Sequence, residues 1–410
     1  MKINIVSLEE CIDKLIDNRG VTPHKRNTEW QENGIPVLSA NNVKTNGLQK
    51  LNEIRFIDES IYNSWMKYPL EKGDLLLTSE APAGEVMYWD SDEKVIVGQR
   101  LYGIKVKSEI DSKYLKYYLQ SDIGQREIKK FSTGSTVFGI SEKTFKHIKI
   151  ILPPKDIQQK IGSILYNIDK KISNNLKENE IIDDFMHKVF KRWFWEFNFL
   201  ENGKPYKASG GKMIYNENLK KEIPINWEVV DFSKIGKFEK GKIPKEILKS
   251  NEDNLLHKYI TIDVANDKNI QYCSNEKMVM CNGETIMVMD GAASGEVYIG
   301  NYGVLGSTFS KIISLKNDCS NTFIYELLKN NEIIIKKANT GSTVPHANKV
   351  YIENMKFPLP KNLKEASEYF DKLEKMIIKN RNENLELTNL REKLLPMLIN
   401  GQINVDDVKI

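Results

Sequence analysis

The sequence predicts an α+β chain: two similar mixed α/β units separated by two long helices that form an antiparallel coiled coil, with pseudo-two-fold symmetry between the halves. Three observations carry this. Thr133-Gly134-Ser135-Thr136-Val137 returns half a chain later as Thr340-Gly341-Ser342-Thr343-Val344 in a chain of 410 residues. Other stretches return in the same order, Ala83-Gly84-Glu85-Val86 as Ser294-Gly295-Glu296-Val297 and Tyr114–Leu119 as Phe323–Leu328. Prolines close both copies, Pro153-Pro154 and Pro358-Leu359-Pro360, and a long run of helical periodicity follows each.

Residues 1–152 form the first unit. Leu75-Leu76-Leu77 and Val95-Ile96-Val97 are short apolar runs bounded by Gly and Asp, as strands are. Ser112 to Gln120 has helical spacing, and Phe145 to Leu152 runs as a strand into the prolines.

From residue 153 to 200 the period changes. Ile161, Ile164, Ile168, Ile172, Leu176, Ile182, Phe185, Val189 and Trp193 recur mostly every three or four residues, the mark of one amphipathic helix. Asp156, with Gln159 three residues on, has capping-box spacing. A helix of roughly 40 residues is a rod about 60 Å long. The cluster Phe190, Trp193, Phe194, Trp195, Phe197 and Phe199 at its end fits either a partner-docking patch or a cap buried under the neighbouring unit, the cap being preferred.

Residues 201–224, with Gly210-Gly211 and several lysines, read as a linker. The second unit fills 225–360, with strands expected over Tyr259–Val264, Thr285–Met289 and Phe309–Leu315. The second rod, 361–410, opens near Asn362 with Glu365 at capping-box spacing. Its seam is Ala366, Tyr369/Phe370, Leu373, Ile377, Leu387, Leu390, Leu394 and Leu398. Pro396 should kink or fray its last turn, and Gly401 fits a stop.

Ile161, Ile168, Leu373 and Leu387 are therefore expected at a shared seam. So are Asn175 and Asn179 in the first rod, set against Asn380 and Asn384 in the second, in the matching pattern Asn-x-x-Glu-Asn. Asparagine in an apolar seam costs stability and fixes register, so the rods are expected to pair with each other, antiparallel.

Composition excludes several classes. No apolar run approaches the length of a membrane span. Met1-Lys2-Ile3-Asn4 leads straight into an amphipathic segment, without the pattern of a signal peptide. Four scattered cysteines in no Cys-x-x-Cys pair fit a reducing, cytoplasmic setting and give no zinc motif. The net charge of +4 does not by itself point to nucleic acid. Catalytic motifs are missing as well. Gly236–Lys242 approaches a phosphate-binding loop, but Ile243 stands where Ser or Thr would bind magnesium. The five histidines have no metal spacing, and neither Asn-Pro-Pro nor Asp-Pro-Pro followed by an aromatic residue occurs. The expectation is a chain with no catalytic residues and no metal site of its own.

This layout resembles the DNA-specificity subunit of type I restriction–modification systems. The resemblance spans essentially the whole chain. It rests on Thr133–Val137 leading to Leu152-Pro153-Pro154, the helix from Asp156 through Trp193-Phe194, the ending Leu390-Arg391-Glu392-Lys393-Leu394-Leu395, and the opening Gly20-Val21-Thr22-Pro23 through Trp30 to Gly34-Ile35-Pro36. The second-half counterpart of that opening, Gly241-Lys242-Ile243-Pro244, is more degenerate. The resemblance implies that each α/β unit is a target-recognition domain reading half of a bipartite duplex DNA site. It implies that the paired rods space the readers and dock modification (methyltransferase) subunits, usually two, with restriction subunits joining. S-adenosylmethionine, ATP and magnesium would then belong to those partners. The competing reading is a two-domain coiled-coil scaffold that bridges proteins without touching DNA.

Candidate DNA contacts follow from side-chain chemistry. Thr133, Ser135 and Thr136 in the first loop, and Ser342 and Thr343 in the second, offer hydroxyls and backbone N–H groups to phosphate. Lys25 and Arg26 lie in one polar loop, Lys242 and Lys245 in the equivalent one, with His346 and Lys349 just after the second Thr-Gly-Ser-Thr-Val. Gln99 and Arg100 suit adenine and guanine edges. Residues 201–360 contain no arginine, so the second unit cannot form arginine–guanine forks.

Overall fold

A computed structural model describes residues 4–133, 139–249, 256–266 and 269–405. The chain divides into two compact units, residues 1–174 with 383–410 and residues 175–382. Each therefore combines one α/β domain with half of each long helix.

In the first unit a four-stranded antiparallel sheet has the order Ile12–Asp17, Leu101–Val106, Leu75–Thr78, Val86–Tyr88. Leu75, Leu76 and Leu77 are all fully buried, because the sheet is covered on both faces and a strand so placed is apolar throughout. One face meets the helix Ser112–Gln120 and the central helix, the other a smaller sheet ordered Arg55–Ile57, Ile35–Leu38, Ile96–Val97. Strand Asn4–Ser7 pairs with Lys149–Leu152.

The second unit repeats this plan. Its main sheet runs Gly236–Lys240, Phe309–Ser314, Ile286–Val288, Val297–Tyr298. Its smaller sheet is Tyr272–Cys273, His257–Ile260, Tyr302–Leu305, Met280–Asn282, and Trp227–Asp231 pairs with Lys356–Pro360. In both smaller sheets the one parallel pairing joins equivalent strands, Val37 with Ile96 and Tyr259 with Val304.

The long helices are Lys155–Phe190 and Lys364–Ile399. Within each unit they run antiparallel. In the first, Ile161, Leu165 and Ile168 share a core with Leu394 and Leu398, and Leu387 packs against it. Asp169 there accepts from Arg391 at 2.9 Å, Lys116 at 2.7 Å and the Tyr117 hydroxyl at 2.6 Å. Burial pushes the Asp169 carboxyl up, but Lys116 and these hydrogen bonds hold it below its ordinary range. In the second unit Ile182, Met186 and Phe190 pack with Phe370 and Ile377, and Leu373 lines the same core. His187 Nδ1 meets Glu326 at 2.6 Å. The polar mid-seam is present. Asn175 is buried, and Asn380 Nδ2 donates to Asn179 Oδ1 at 3.0 Å and to Glu178 at 3.1 Å in the second unit. In the first unit Asn384 donates to the Ile172 carbonyl at 3.4 Å.

Several local expectations are corrected. Leu176, Phe185 and Leu390 are exposed, by 53%, 46% and 39%, and Leu165, Met186 and Phe190 take seam positions instead. Apolar residues that flank the seam share its three- to four-residue spacing, so spacing alone does not separate them from it. The first helix starts at Lys155, so Asp156 lies within its first turn. Gln158, not Gln159, makes the anchoring contact, accepting from Asp111 N and donating to the Pro153 carbonyl. Pro396 stays inside a helix that continues to Ile399; the stop is Gly401, with φ +66°. Phe145–Leu152 is a short helix Glu142–Phe145 followed by strand Lys149–Leu152, and Tyr259–Val264 is strand His257–Ile260 followed by helix Ile262–Ala265. The expected linker carries two hairpins, Leu200–Glu201 with Lys204–Pro205 and Met213–Asn216 with Lys221–Pro224. The aromatic cluster is the expected buried cap: Phe190, Phe194 and Phe197 pack among Phe323, Phe370 and Trp227 of the same unit.

Candidate nucleic-acid interface

The sheet order carries the polar loops of each unit to one edge. In the first unit, strand Ile12–Asp17 leaves the main sheet into the loop after Gly20. Lys25 and Arg26 are exposed there on a tight turn, Pro23–Arg26, with Lys25 Nζ donating to the Gly20 carbonyl at 2.7 Å. Gln99 reaches the same loop from the opposite strand. It accepts from Gly20 N at 3.0 Å and donates to the Val21 carbonyl at 2.5 Å. With both ends of its amide used on backbone, Gln99 positions this loop and does not present a free adenine-reading edge. Arg100 is exposed, in the left-handed region at φ +60°, with Nε 3.4 Å from Glu80. Glu80 is bridged to Gly139, which pairs with Thr133 across the base of the first Thr-Gly-Ser-Thr-Val loop. Ser135 and Thr136 lie outside the described residues. Arg19 grips Asp17 through two nitrogens, at 2.8 and 2.7 Å, and lies 4.1 Å above the Tyr102 ring.

The second unit assembles the equivalent edge. Thr340 and His346 exchange both backbone hydrogen bonds, closing the loop that exposes Ser342 and Thr343. Gly341 sits at φ +91°, where an added Cβ would stand 2.3 Å from the Val344 carbonyl oxygen. Only glycine turns here without displacing backbone. His346 Nδ1 meets Asp290 at 2.7 Å, and Lys240 Nζ reaches the same carboxylate at 3.1 Å. Partial burial raises the Asp290 carboxyl, but His346 and Lys240 hold it below its ordinary range. Lys242 Nζ donates to the Lys277 carbonyl at 3.1 Å, Lys245 is exposed, and Lys349 lies 3.6 Å from Glu353 with its ammonium 5.9 Å from the Phe238 ring.

An acidic residue thus anchors each loop, Glu80 opposite Gly139 and Asp290 opposite His346. A basic residue precedes the equivalent glycine, Arg19 before Gly20 and Lys240 before Gly241. Sequence reading missed Glu80, Asp290, Arg19 and Lys240. The signal was present: Glu80 and Asp290 lie just before the repeated Gly-Glu-Val. Among the described residues no group of three His, Cys, Asp or Glu side chains could hold a metal ion, and no helix is long and apolar enough to cross a membrane.

Comparisons with known proteins bear on what this edge meets. The family model for the type I restriction modification DNA specificity domain matches twice, over residues 2–183 and 224–389. A type I restriction enzyme specificity subunit, MjaIX, of Methanocaldococcus jannaschii is 29% identical over 357 residues, 82% of this chain and 79% of that protein. The crystal structure of a type I restriction–modification system S subunit from M. genitalium shares the fold. Its TM-score is 0.62 at 18% identity, covering 97% of this chain and 96% of the other.

Proposed function

The chain belongs to the type I restriction modification DNA specificity family, with one copy of the domain in each half, and from that premise we propose how its residues divide the work. Each α/β unit reads one half of a bipartite duplex DNA target through the loop edge described above. The paired helices hold the two readers at a set separation and carry the modification subunits, which a restriction subunit joins in the larger assembly. The carrying observation is that two units with the same sheet order each gather the repeated Thr-Gly-Ser-Thr-Val base, a basic loop and an acidic anchor at one edge. Two-point recognition of a helical ligand needs such duplicated readers.

Lys25, Arg26, Lys242, Lys245, Ser342 and Thr343 are assigned here to phosphate. Such contacts set register and carry no sequence information. His346 is held by Asp290 as part of the second loop's frame. The chain supplies recognition, and chemistry resides on the partners, which bind S-adenosylmethionine for methyl transfer and ATP with magnesium for restriction.

The test is single-molecule sequencing of methylated bases in cells carrying this chain with its modification subunits, compared with cells lacking the chain. A bipartite methylated motif that disappears on deletion is the expected result. Methylation unchanged by the deletion, with no gel shift of any duplex by the assembled complex, would favour the protein-bridging scaffold.

A further inference from the structure

A position one strand away from the basic loop differs in chemistry between the units. In the first unit the loop from Gly20 returns to the smaller sheet where Gln31 N donates to the Phe56 carbonyl at 2.9 Å. Trp30, the residue before, is 40% exposed. It walls an open groove of ≈490 Å³ with Thr22, Pro23, His24, Thr28 and Glu29. Arg55, exposed on the strand beside it and paired with Val37, places its guanidinium 4.5 Å from the Trp30 ring. Among the described residues Arg55 makes no ion pair, so its N–H edge is not spent on a carboxylate. An indole face fixes the plane of a guanidinium without using its donors.

The register identifies the counterparts. In the second unit the returning loop residue is Leu248, whose N donates to the Tyr272 carbonyl at 2.8 Å, as Gln31 does to Phe56. Tyr259 occupies the place of Val37, since both pair in parallel with the equivalent neighbouring strand. The residue opposite Tyr259 is Gln271, whose carbonyl accepts from Tyr259 N at 2.8 Å. Gln271 therefore stands where Arg55 stands, and Ile247, 43% exposed, stands where Trp30 stands. The fold repeats the position and the chemistry changes: a guanidinium over an indole in one unit, and glutamine at the same register position in the other.

We propose that Arg55 and Gln271 occupy a specificity-determining position, Arg55 on its Trp30 platform reading guanine in the first half-site and Gln271 reading adenine in the second. Arginine forks onto the two major-groove acceptors of guanine, and glutamine matches the donor–acceptor pair of adenine. The absence of arginine from 201–360 agrees with a second reader that does not use the guanine fork. The inference rests on the half-site reading given above.

The experiment expresses the full chain with its modification subunits and sequences the methylated sites. Arg55→Gln should change or relax one base pair of the first half-site, leaving the second half-site and the gap unaltered. Gln271→Arg should do the converse. Binding of the assembled complex to its wild-type site should fall about ten- to a hundred-fold in either variant. If Arg55→Gln gives no methylation at all, Arg55→Lys decides, since it keeps charge and aliphatic packing but not the fork, and should relax the same base pair. An unchanged motif in these variants overturns the proposal. So does equal weakening on cognate and scrambled duplexes with the motif intact, because that marks a phosphate contact. A wild-type complex without a bipartite motif would instead overturn the half-site reading itself.

Discussion

At the scale of single residues, the interface depends on groups that hold the loops as much as on groups that reach outward. Gln99 binds both polar ends of its amide to the backbone of the Gly20 loop, and Asp290 ties His346 and Lys240 to the base of the second loop. Gly341 is the most constrained of these positions. Gly341→Ala forces a Cβ against the Val344 carbonyl at a left-handed φ, a local strain of about 1–3 kcal/mol that the loop relieves by moving. The expected outcome is weaker binding of the cognate duplex in a gel shift with a melting temperature within a few degrees of wild type; undiminished binding would mean that the loop does not face DNA. The repeat made these loops easy to find. It could not show that Gln99 is spent on backbone, nor that Glu80 and Asp290 lie beneath them, because those partners come from strands 50 or more residues away in the chain.

At the scale of elements, each α/β unit is tied to a long helix by a partly buried ionic contact, and the two contacts differ in chemistry. The first unit uses Lys116, Asp169 and Arg391, where burial lowers the Lys116 ammonium while Lys116 and the hydrogen bonds hold the Asp169 carboxyl below its ordinary range. The second uses His187 and the fully buried Glu326, with Asp183 3.6 Å from His187 and Lys329 also acting on it. Burial lowers the His187 pKa, but the hydrogen bond and charge of Glu326 more than offset this, so it lies above the ordinary histidine value. A raised histidine contributes stability that is fully present below about pH 6.5 and is lost as pH rises through its folded value. Burial also raises Glu326, whose ionisation in the folded state costs stability as pH rises. Both effects have the same sign. The thermal transition of the second unit is expected to fall in temperature as pH rises above about 6.5, and His187→Gln to flatten that fall; an equally steep decline in the variant would assign the dependence elsewhere. The helices themselves were legible from periodicity, since a 3.6-residue repeat sustained over 36 residues leaves no competing structure. Which of two adjacent apolar residues faces the seam, Met186 or Phe185, was not, because it depends on the rotation imposed by the partner helix.

At the scale of the whole molecule, the proposed spacer role makes helix length a determinant of the DNA gap. One heptad inserted at mid-seam in both long helices keeps the a and d seam in phase and lengthens each by about 10 Å. The methylated motif should then gain about three base pairs in its gap with both half-sites unchanged, as read by sequencing methylated sites. Changed half-sites with a constant gap would remove the spacer role. What the sequence determined unaided was the architecture: two like α/β units, two long helices, an asparagine block in their seam, and the family these features resemble. Repeats and periodicities are written along the chain and survive without knowledge of distant neighbours. The tertiary structure decided which polar residues are committed to holding the interface and which remain available to a ligand. It also decided that Arg55 and Gln271 share one position. That choice rests on strand register, which pairs residues far apart in sequence and is fixed only once both faces of each sheet are covered.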